Sequence, residues 1–230
     1  MIYFLFTILF LIPNFLILVF LYRRYGRYAR VRKKEKSKHK IIMVLGPGGH
    51  TREMVEIFSL LDHEKYDFEF VHSKYDRISP KVFLNFFVSI LNRGSEDVDA
   101  TLDEETVKRR FFHSITFPSN KSLLRLFFAI FFLPCTLKSI AILYKVNPDI
   151  VITNGPALSV PFCLSVKLLN VLLFRNSKVV YVESLTRVKT ISDSGRVLYN
   201  FVDGFLVLWP FLKSKYKKFN YIGTIEKLTS

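Results

Sequence analysis

Residues 41–54, IIMVLGPGGHTREM, carry the pattern from which the fold can be predicted. The stretch opens with five apolar residues and no charge, which is typical of a strand buried on both faces of a sheet. The glycines that follow allow a tight turn and let a ligand approach the backbone closely. From Arg52 onward the residues favour a helix, with Thr51 as its predicted N-cap. The stretch therefore predicts a strand, a glycine loop and a helix.

The glycine loop is a candidate site for a phosphate or a diphosphate. A helix that begins behind it would present free N–H groups and the positive end of its dipole to an anion. Gly46 and Gly48 have the spacing of the dinucleotide pattern G-x-G-x-x-G, but Thr51 stands where its third glycine should be. The Gly-Lys-Ser/Thr ending of a P-loop is also missing. A tight turn without a ligand is the alternative interpretation.

The remainder of the chain repeats the alternation of strand and helix. Further strands are predicted at 67–72, 111–116, 149–153, 178–182 and 204–208, with helices between them. The acidic, turn-rich stretch 92–110 is interpreted as a surface insertion. This alternation predicts an α/β fold, with a Rossmann-like, doubly wound and mostly parallel sheet.

The N-terminus is predicted to be a membrane anchor. Residues 1–22 contain no charged side chain and could cross a bilayer as one helix. A cleaved signal peptide fits less well, because no basic residue precedes the apolar run. Ten Lys or Arg and one Glu lie in 23–40, which places +9 of the net charge of +15 in a basic juxtamembrane segment. The positive-inside rule puts this segment and the domain behind it in the cytosol, and its position after an anchor argues against nucleic-acid binding.

The sequence permits two environments, the core or a membrane surface, for each of two apolar segments. Within 123–144, the uncharged part 126–137 is too short to cross a bilayer. This segment is either a buried helix or an interfacial helix that inserts phenylalanines into lipid. The segment 81–91 leaves the same choice between the core and a membrane surface. The two cysteines have no metal-ligand spacing, which favours a reducing compartment and indicates no metal site.

Two polar loops follow later strands of the predicted sheet. Asn154, Gly155 and Pro156 follow the strand at 149–153, and Glu183 and Ser184 follow the strand at 178–182. The carboxyl ends of parallel strands share one edge of a sheet, where sites in such folds gather. Arg187 lies four residues after Glu183, so an ion pair between them is one interpretation of this motif.

Six motifs occur along the chain in one order. They are GPGGHTREM at 46–54, NGP at 154–156, Glu183-Ser184 with Arg187-Val188, Ser192 with Ser194-Gly195, Trp209-Pro210, and Tyr221-Ile222-Gly223. Together with the apolar N-terminus, this set resembles the asparagine-linked glycosylation protein 14 family. The chain departs from the family pattern at Ala157, where the family usually has Gly, and at 118–121, where arginines are expected.

The resemblance implies a function, partners and a location. The family is the membrane-anchoring subunit of the two-subunit transferase that adds the second N-acetylglucosamine (GlcNAc) to dolichyl-diphosphate-GlcNAc in protein N-glycosylation. Residues 41–218 would form the acceptor-side half of a GT-B glycosyltransferase, on the cytosolic face of the endoplasmic reticulum. A soluble partner would bind UDP-GlcNAc, and the tail 219–230 is the candidate docking segment. No cofactor or metal is implied.

The resemblance also implies roles for individual residues. His50 and Glu183 are the candidate catalytic residues, since an imidazole that titrates near neutral pH suits deprotonation of a sugar hydroxyl. Alternatively, His50 only packs or caps its helix. The residues expected to bind the acceptor or line its cleft are Gly46, Gly48, Gly49, Thr51, Asn154, Gly155, Pro156, Ser184 and Arg187. Asp76 is a weaker match to a loop aspartate of the family.

Two other functions stay open from the sequence. The chain could be a complete enzyme that acts as a homodimer on a lipid-linked diphosphate, which predicts turnover without a partner. It could also be a non-catalytic scaffold that recruits soluble transferases to the membrane. The scaffold predicts that His50→Ala and Glu183→Ala leave activity unchanged, whereas loss of the tail abolishes it.

Overall fold

The computed structural model of this protein describes residues 38–93, 103–118 and 128–223. The predicted anchor at 1–22 lies outside the described residues, as do nearly all of the basic segment and the last seven residues of the tail. Within the described ranges, no helix has the length and apolar character needed to cross a membrane.

The described strands form one sheet whose neighbours all pair in parallel. They are β1 (His39–Val44), β2 (Tyr66–Ser73), β3 (Phe112–Ile115), β4 (Ile150–Thr153), β5 (Lys178–Val182), β6 (Gly204–Val207) and β7 (Phe219–Tyr221). Their order in the sheet is β3-β2-β1-β4-β5-β6-β7. The chain therefore builds outward from β1 in one direction and from β4 in the other. This confirms the predicted doubly wound sheet.

Helices cover both faces of the sheet. The described helices are α1 (Gly49–Ser59), α2 (Ser79–Arg93), α3 (Glu104–Phe111), α4 (Phe128–Val146), α5 (Ser159–Leu172), α6 (Asp193–Leu198) and α7 (Pro210–Lys215). Buried side chains of α1, α2 and α3 pack on one face, and those of α4 to α7 pack on the other.

The central strand β1 shows why the apolar run has no polar position. Ile41 and Met43 belong to the core beneath α1 to α3, and Ile42 and Val44 belong to the core beneath α4 to α7. All four side chains are at most 2% exposed. Successive residues of a strand point to opposite faces, so a strand covered on both faces must be apolar throughout.

The segments 81–91 and 123–144, for which the sequence permitted either the core or a membrane surface, both contribute to the core. Phe83 and Phe87 of α2 are buried against the sheet. Cys135 and Leu143 of α4 are buried on the opposite face, whereas Leu137 on the same helix is 60% exposed. Each segment is thus a helix of the α/β layers, and α4 also presents an apolar outer side.

The structure changes two predicted boundaries. The stretch 92–110 was interpreted as a surface insertion, and its part 94–102 lies outside the described residues. Its last residues form most of α3. Asp103 is the N-cap of this helix and accepts a hydrogen bond from the Thr106 N–H at 3.4 Å. Its acidic residues resemble a turn but form the first turn of a helix, where they complement the dipole. Residue 218 does not end the domain, because Phe219 is buried and stacks on Phe205 of β6 at 4.2 Å between ring centroids.

Candidate functional site

The candidate site lies at the carboxyl edge of the sheet, between β1 and β4. The chain order reverses there, and ligands of open α/β sheets bind in the crevice at such a switch point. The loops after these two strands touch, because a Cβ added to Gly46 would lie 2.5 Å from Cβ of Pro156. Only glycine at position 46 permits this approach, so the glycine loop and the loop after β4 lie in contact.

Gly48 and Gly49 lie at the start of α1 and border open space. Gly48 has a φ of +68°, a conformation that favours glycine, and both residues are exposed. A Cβ at either position would have no described heavy atom within 4 Å. The first turn of α1, with its free N–H groups, therefore faces an accessible space that suits an anionic group.

Thr51 is not the N-cap that the sequence predicted. Gly48 takes that position without a side-chain cap, and Thr51 lies in the first turn of α1, where it is 6% exposed. Its hydroxyl lies 2.6 Å from the Gly46 carbonyl oxygen and 2.7 Å from the Ser79 hydroxyl. Thr51 thus fixes the shape of the glycine loop from within the protein, and its hydroxyl is already engaged there.

Asp76 supports the same loop through α2. One of its carboxylate oxygens accepts hydrogen bonds from the N–H groups of Ile78 and Ser79, at 3.2 and 3.0 Å. The Ser79 hydroxyl in turn lies 3.1 Å from the Gly46 carbonyl oxygen. The loop after β2 therefore reaches the glycine loop.

Glu53 joins three segments of the site, although the sequence motifs did not single it out. Its Oε1 accepts hydrogen bonds from the Ser184 hydroxyl at 2.6 Å and from the Leu185 N–H at 3.0 Å. Its Oε2 accepts one from Nδ2 of Asn154 at 3.1 Å. Its spacing of three residues from His50 was the available signal, because that spacing puts both side chains on one face of a helix.

The electrostatics of Glu53 favour its charged form. Burial alone would raise the pKa of this carboxyl group. The neighbouring His50 and the hydrogen bonds from Ser184 and Leu185 outweigh burial, so the pKa of Glu53 lies below its ordinary value. The site thus contains a buried carboxylate that is held in place by donors from two loops.

His50 lies between this carboxylate and the loop after β4. Its side chain is 30% exposed, and its Nδ1 lies 3.8 Å from Oε2 of Glu53. Its Cε1 would lie 3.7 Å from a Cβ on Gly155, which has a φ of +103°. Nδ1 of His50 and Oδ1 of Asn154 are buried without a hydrogen-bond partner among the described residues. Two of the four buried side-chain atoms that lack a partner among the described residues therefore lie here, and the other two belong to His63 and Asp76.

Glu183 is buried, whereas its predicted catalytic role requires access to the acceptor. It is 1% exposed, and it accepts hydrogen bonds from the Ser192 N–H at 3.0 Å and the Ser192 hydroxyl at 3.2 Å. Burial raises its pKa. The possible ion pair with Arg187 is not formed in the described structure, where Glu183 instead holds the start of α6. Its catalytic role stays a prediction.

The remaining predicted residues have mostly structural contacts. The Ser184 hydroxyl binds Glu53, and the Ser184 carbonyl oxygen accepts a hydrogen bond from the Arg187 N–H at 2.9 Å. Asn154 donates to the backbone carbonyl of His50 at 2.7 Å. In the described part of the chain, no three His, Cys, Asp or Glu side chains are grouped so as to hold a metal ion.

Comparison with known proteins identifies related sequences. The family model described as "Oligosaccharide biosynthesis protein Alg14 like" matches residues 41–225. The UDP-N-acetylglucosamine transferase subunit alg14 of Schizosaccharomyces pombe is 35% identical over 205 residues, which cover 87% of this chain and 90% of that protein. The human subunit ALG14 is 32% identical over 187 residues, covering 80% and 82% respectively.

Solved structures share the fold at low sequence identity. MurG of Acinetobacter baumannii matches 81% of this chain with a TM-score of 0.52 and 13% identity. The UDP-GlcNAc 2-epimerase of Methanocaldococcus jannaschii matches 80% with a TM-score of 0.50 and 14% identity. The chain covers 44% and 45% of these structures, which is less than half of their length.

Gly46→Ala is expected to destabilise the protein, whereas Gly49→Ala is not. The added Cβ at position 46 overlaps Pro156, so we expect the free energy of unfolding to fall by about 1–3 kcal/mol. The Cβ at position 49 meets open space, and we expect a change below about 0.5 kcal/mol. Urea unfolding of the full chain in detergent measures both. Equal losses for the two variants would contradict the contact between the loops.

Glu53→Gln and Glu183→Gln are expected to show opposite pH dependences of stability. The pKa of Glu53 lies below its ordinary value of 4.5, so its charge stabilises the fold above pH 4.5 and this contribution disappears as the pH falls through the folded-state pKa. The cost of Glu53→Gln should therefore be largest near neutral pH. The pKa of Glu183 is raised, so Glu183→Gln should become less costly as the pH rises above 4.5.

Urea midpoints of both variants and the wild type, measured between pH 4 and pH 7, test these opposite slopes. Parallel slopes for the two variants would show that one of the two carboxylates is in a different environment from the one described.

Proposed function

The chain belongs to the Alg14 family, and from that premise we propose that it is the membrane-anchoring, acceptor-binding subunit of a UDP-N-acetylglucosamine transferase. In the proposed reaction, the second GlcNAc is added to dolichyl-diphosphate-GlcNAc. A soluble partner subunit binds the donor, UDP-GlcNAc. The observation that carries the proposal is the family match itself, because residues 41–225 include all three loops of the switch-point site.

The glycine loop suits the diphosphate of such an acceptor. Gly48 and Gly49 leave the N-terminus of α1 open, and a helix N-terminus stabilises negative charge. A diphosphate seated there would bring the attached sugar close to His50, the second residue of α1. The buried Oδ1 of Asn154 would be available to accept a hydrogen bond from the same ligand.

The proposed chemistry needs one proton acceptor. A hydroxyl oxygen of the acceptor sugar attacks the anomeric carbon of UDP-GlcNAc, the bond from that carbon to the UDP oxygen breaks, and UDP leaves. The proton of the attacking hydroxyl passes to the imidazole of His50, which acts as the general base. His50 is the candidate because its ring is partly exposed beside the glycine loop, whereas the carboxylate of Glu183 is buried and bound to Ser192.

The proposed partner would supply the donor half of the site. The described domain has a single sheet with its site at one open edge, and the MurG structure that it resembles is more than twice as long as the matched region. A second α/β domain facing the carboxyl edge would complete a GT-B arrangement. The segment 219–230 is retained as the docking candidate, and its first residues are the edge strand β7.

The outer surface of α4 and α5 supports a location at the membrane. Between residues 128 and 178 the one acidic side chain is Asp149, which is buried. Large exposed apolar side chains on this surface are Leu133, Leu137, Tyr144, Leu168, Val171, Leu172 and Leu173. An apolar surface without exposed acidic groups suits contact with anionic lipid. We therefore propose that this surface meets the cytosolic leaflet of the endoplasmic reticulum membrane.

Reconstitution in lipid vesicles tests the proposed reaction. The full-length chain is supplied with UDP-GlcNAc and a dolichyl-diphosphate-GlcNAc analogue, with and without cytosolic extract from the same source. We expect the disaccharide product only when the extract is present. His50→Ala should then lower the rate about 10²–10⁴-fold, since this is the usual contribution of a general base.

His39→Ala is the matched control, because His39 lies at the amino end of β1 and is exposed. It should retain the wild-type rate within about twofold, as surface substitutions usually perturb little. Product formed without extract would favour the self-sufficient enzyme. Full activity of His50→Ala with extract would favour the non-catalytic scaffold.

Labelling of α4 tests the membrane surface. Burial raises the pKa of the Cys135 and Cys163 thiols to about 12, so a cysteine placed at position 137 is the reactive one at neutral pH. We expect a fluorophore on Leu137→Cys to be quenched by brominated lipids in vesicles that hold the full chain. The control is Phe201→Cys, at a residue that is 47% exposed and lies beyond α6. Equal quenching at both positions, or none at 137, would contradict the proposed surface.

A further inference from the structure

The carboxylate of Glu53 links two loops to α1 and also lies next to the imidazole of His50. We propose that Glu53 is a positioning residue, which holds the His50 imidazole with its proton on Nδ1 and leaves Nε2 free to accept a proton from the acceptor sugar. This inference rests on the proposed function of the site. It assigns to Glu53 a role that neither the sequence motifs nor the comparisons indicate.

Oε2 of Glu53 faces His50 and can accept a further hydrogen bond. Oε1 is occupied by the Ser184 hydroxyl and the Leu185 N–H, at 2.6 and 3.0 Å. Oε2 accepts from Nδ2 of Asn154 and lies 3.8 Å from Nδ1 of His50. A carboxylate oxygen can accept more than one hydrogen bond. Oε2 therefore has the capacity to accept a second one from the imidazole.

The imidazole needs this acceptor. Nδ1 of His50 is buried and has no hydrogen-bond partner among the described residues, and leaving a buried polar group unpaired is costly. A small rotation of the ring would close the gap of 3.8 Å to Oε2. Catalytic hydrogen bonds are often long before a substrate binds and shorten in the complex. The pairing requires the proton on Nδ1, because a carboxylate can only accept.

Glu53 itself is held too firmly to turn away. It is 7% exposed, and its partners come from the loop after β4 and the loop after β5, while Glu53 belongs to α1. Asn154 also donates to the backbone carbonyl of His50, which ties the histidine to the same network. The orientation of the ring is thus set by three segments of the chain.

Other titratable groups near the ring are engaged elsewhere. The Tyr181 hydroxyl, which would lie 2.6 Å from a Cβ on Gly155, is hydrogen-bonded to the Ser192 hydroxyl at 2.7 Å. Glu183 accepts from the Ser192 N–H and hydroxyl. The positive charge of Arg187 lowers the pKa of Glu183 against the rise caused by burial, so this charge acts on Glu183. Among the described residues, Glu53 is therefore the carboxylate within reach of Nδ1.

Glu53→Gln separates the positioning role from simple support. With Oε1 still accepting from Ser184 and Leu185, the amide Nε2 of the glutamine would replace Oε2, lose the hydrogen bond from Nδ2 of Asn154 and face Nδ1 of His50. The amide N–H would donate to Nδ1 and shift the imidazole proton to Nε2, which then could not act as the base. A wrong tautomer of this kind costs about 10⁴-fold in kcat in a serine protease triad.

The test uses the full chain with its soluble partner in vesicles and compares the wild type, Glu53→Gln, Glu53→Asp and Glu64→Gln. We expect Glu53→Gln to lower kcat about 10²–10⁴-fold with a smaller change in KM, and to move the midpoint of the acidic limb of the pH–rate profile to lower pH. Glu53→Asp keeps the charge and should recover part of kcat and the wild-type midpoint. Glu64, in the exposed turn before β2, is the control and should change neither quantity.

A loss of activity that matches the loss of folded protein, with the midpoint unmoved, would overturn the inference and leave Glu53 as a structural residue. Glu53→Asp that behaves like Glu53→Gln would overturn it too.

A second measurement separates this inference from the proposed function. Nitrogen NMR of ¹⁵N-histidine in the full chain reports which ring nitrogen of His50 carries the proton. We expect Nδ1–H in the wild type and Nε2–H in Glu53→Gln. If the wild-type complex forms no disaccharide, the proposed function fails, and the tautomer decides the role of Glu53 by itself. An unchanged tautomer in Glu53→Gln would refute the positioning role whether or not the complex is active.

Discussion

Parallel pairing of β1 with both β2 and β4 is the constraint on which the rest of this structure depends. A strand paired in parallel on both sides needs crossover connections, and these put helices on both faces of the sheet. The same pairing brings the carboxyl ends of all described strands to one edge. The helices that follow the glycine loop and the loop after β4, α1 and α5, pack on opposite faces of the sheet, and a crevice is expected where the chain order reverses in this way.

Two carboxylates near this crevice have different environments because their hydrogen-bond donors differ. Glu53 receives hydrogen bonds from two loops and keeps one oxygen facing an imidazole, and its pKa is lowered. Glu183 receives the N–H and hydroxyl of Ser192, is almost fully buried, and has a raised pKa. A charged group that faces the crevice can act on a ligand there, whereas one enclosed by its own loop stabilises that loop. Position at a strand end therefore does not by itself determine the environment of a carboxylate.

Under the proposed function, the site supplies half of what a transfer between two sugars requires. Its parts suit a lipid-linked diphosphate: an open helix N-terminus, a partly exposed histidine and a buried amide oxygen without a partner. A donor nucleotide needs a second set of contacts, and the described domain offers a single open edge where another domain would face it. An apolar outer surface on α4 and α5 is compatible with lipid on a different side. Membrane, acceptor and partner thus have separate surfaces available to them.

The sequence by itself determined the order of strands and helices along the chain, the parallel sheet and the polar loops at the ends of its strands, because apolar periodicity and glycine placement are local properties of the chain. Most strands and helices were predictable for the same reason, whereas α3 was missed because acidic residues are typical of both a turn and a first helical turn. Only the tertiary structure decided which side chains work together. Thr51 turns inward to Ser79, Glu183 pairs with Ser192 rather than Arg187, and Glu53 reaches Ser184 across 131 positions of sequence. Hydrogen bonds between distant segments depend on packing distances and directions, and no local pattern encodes those.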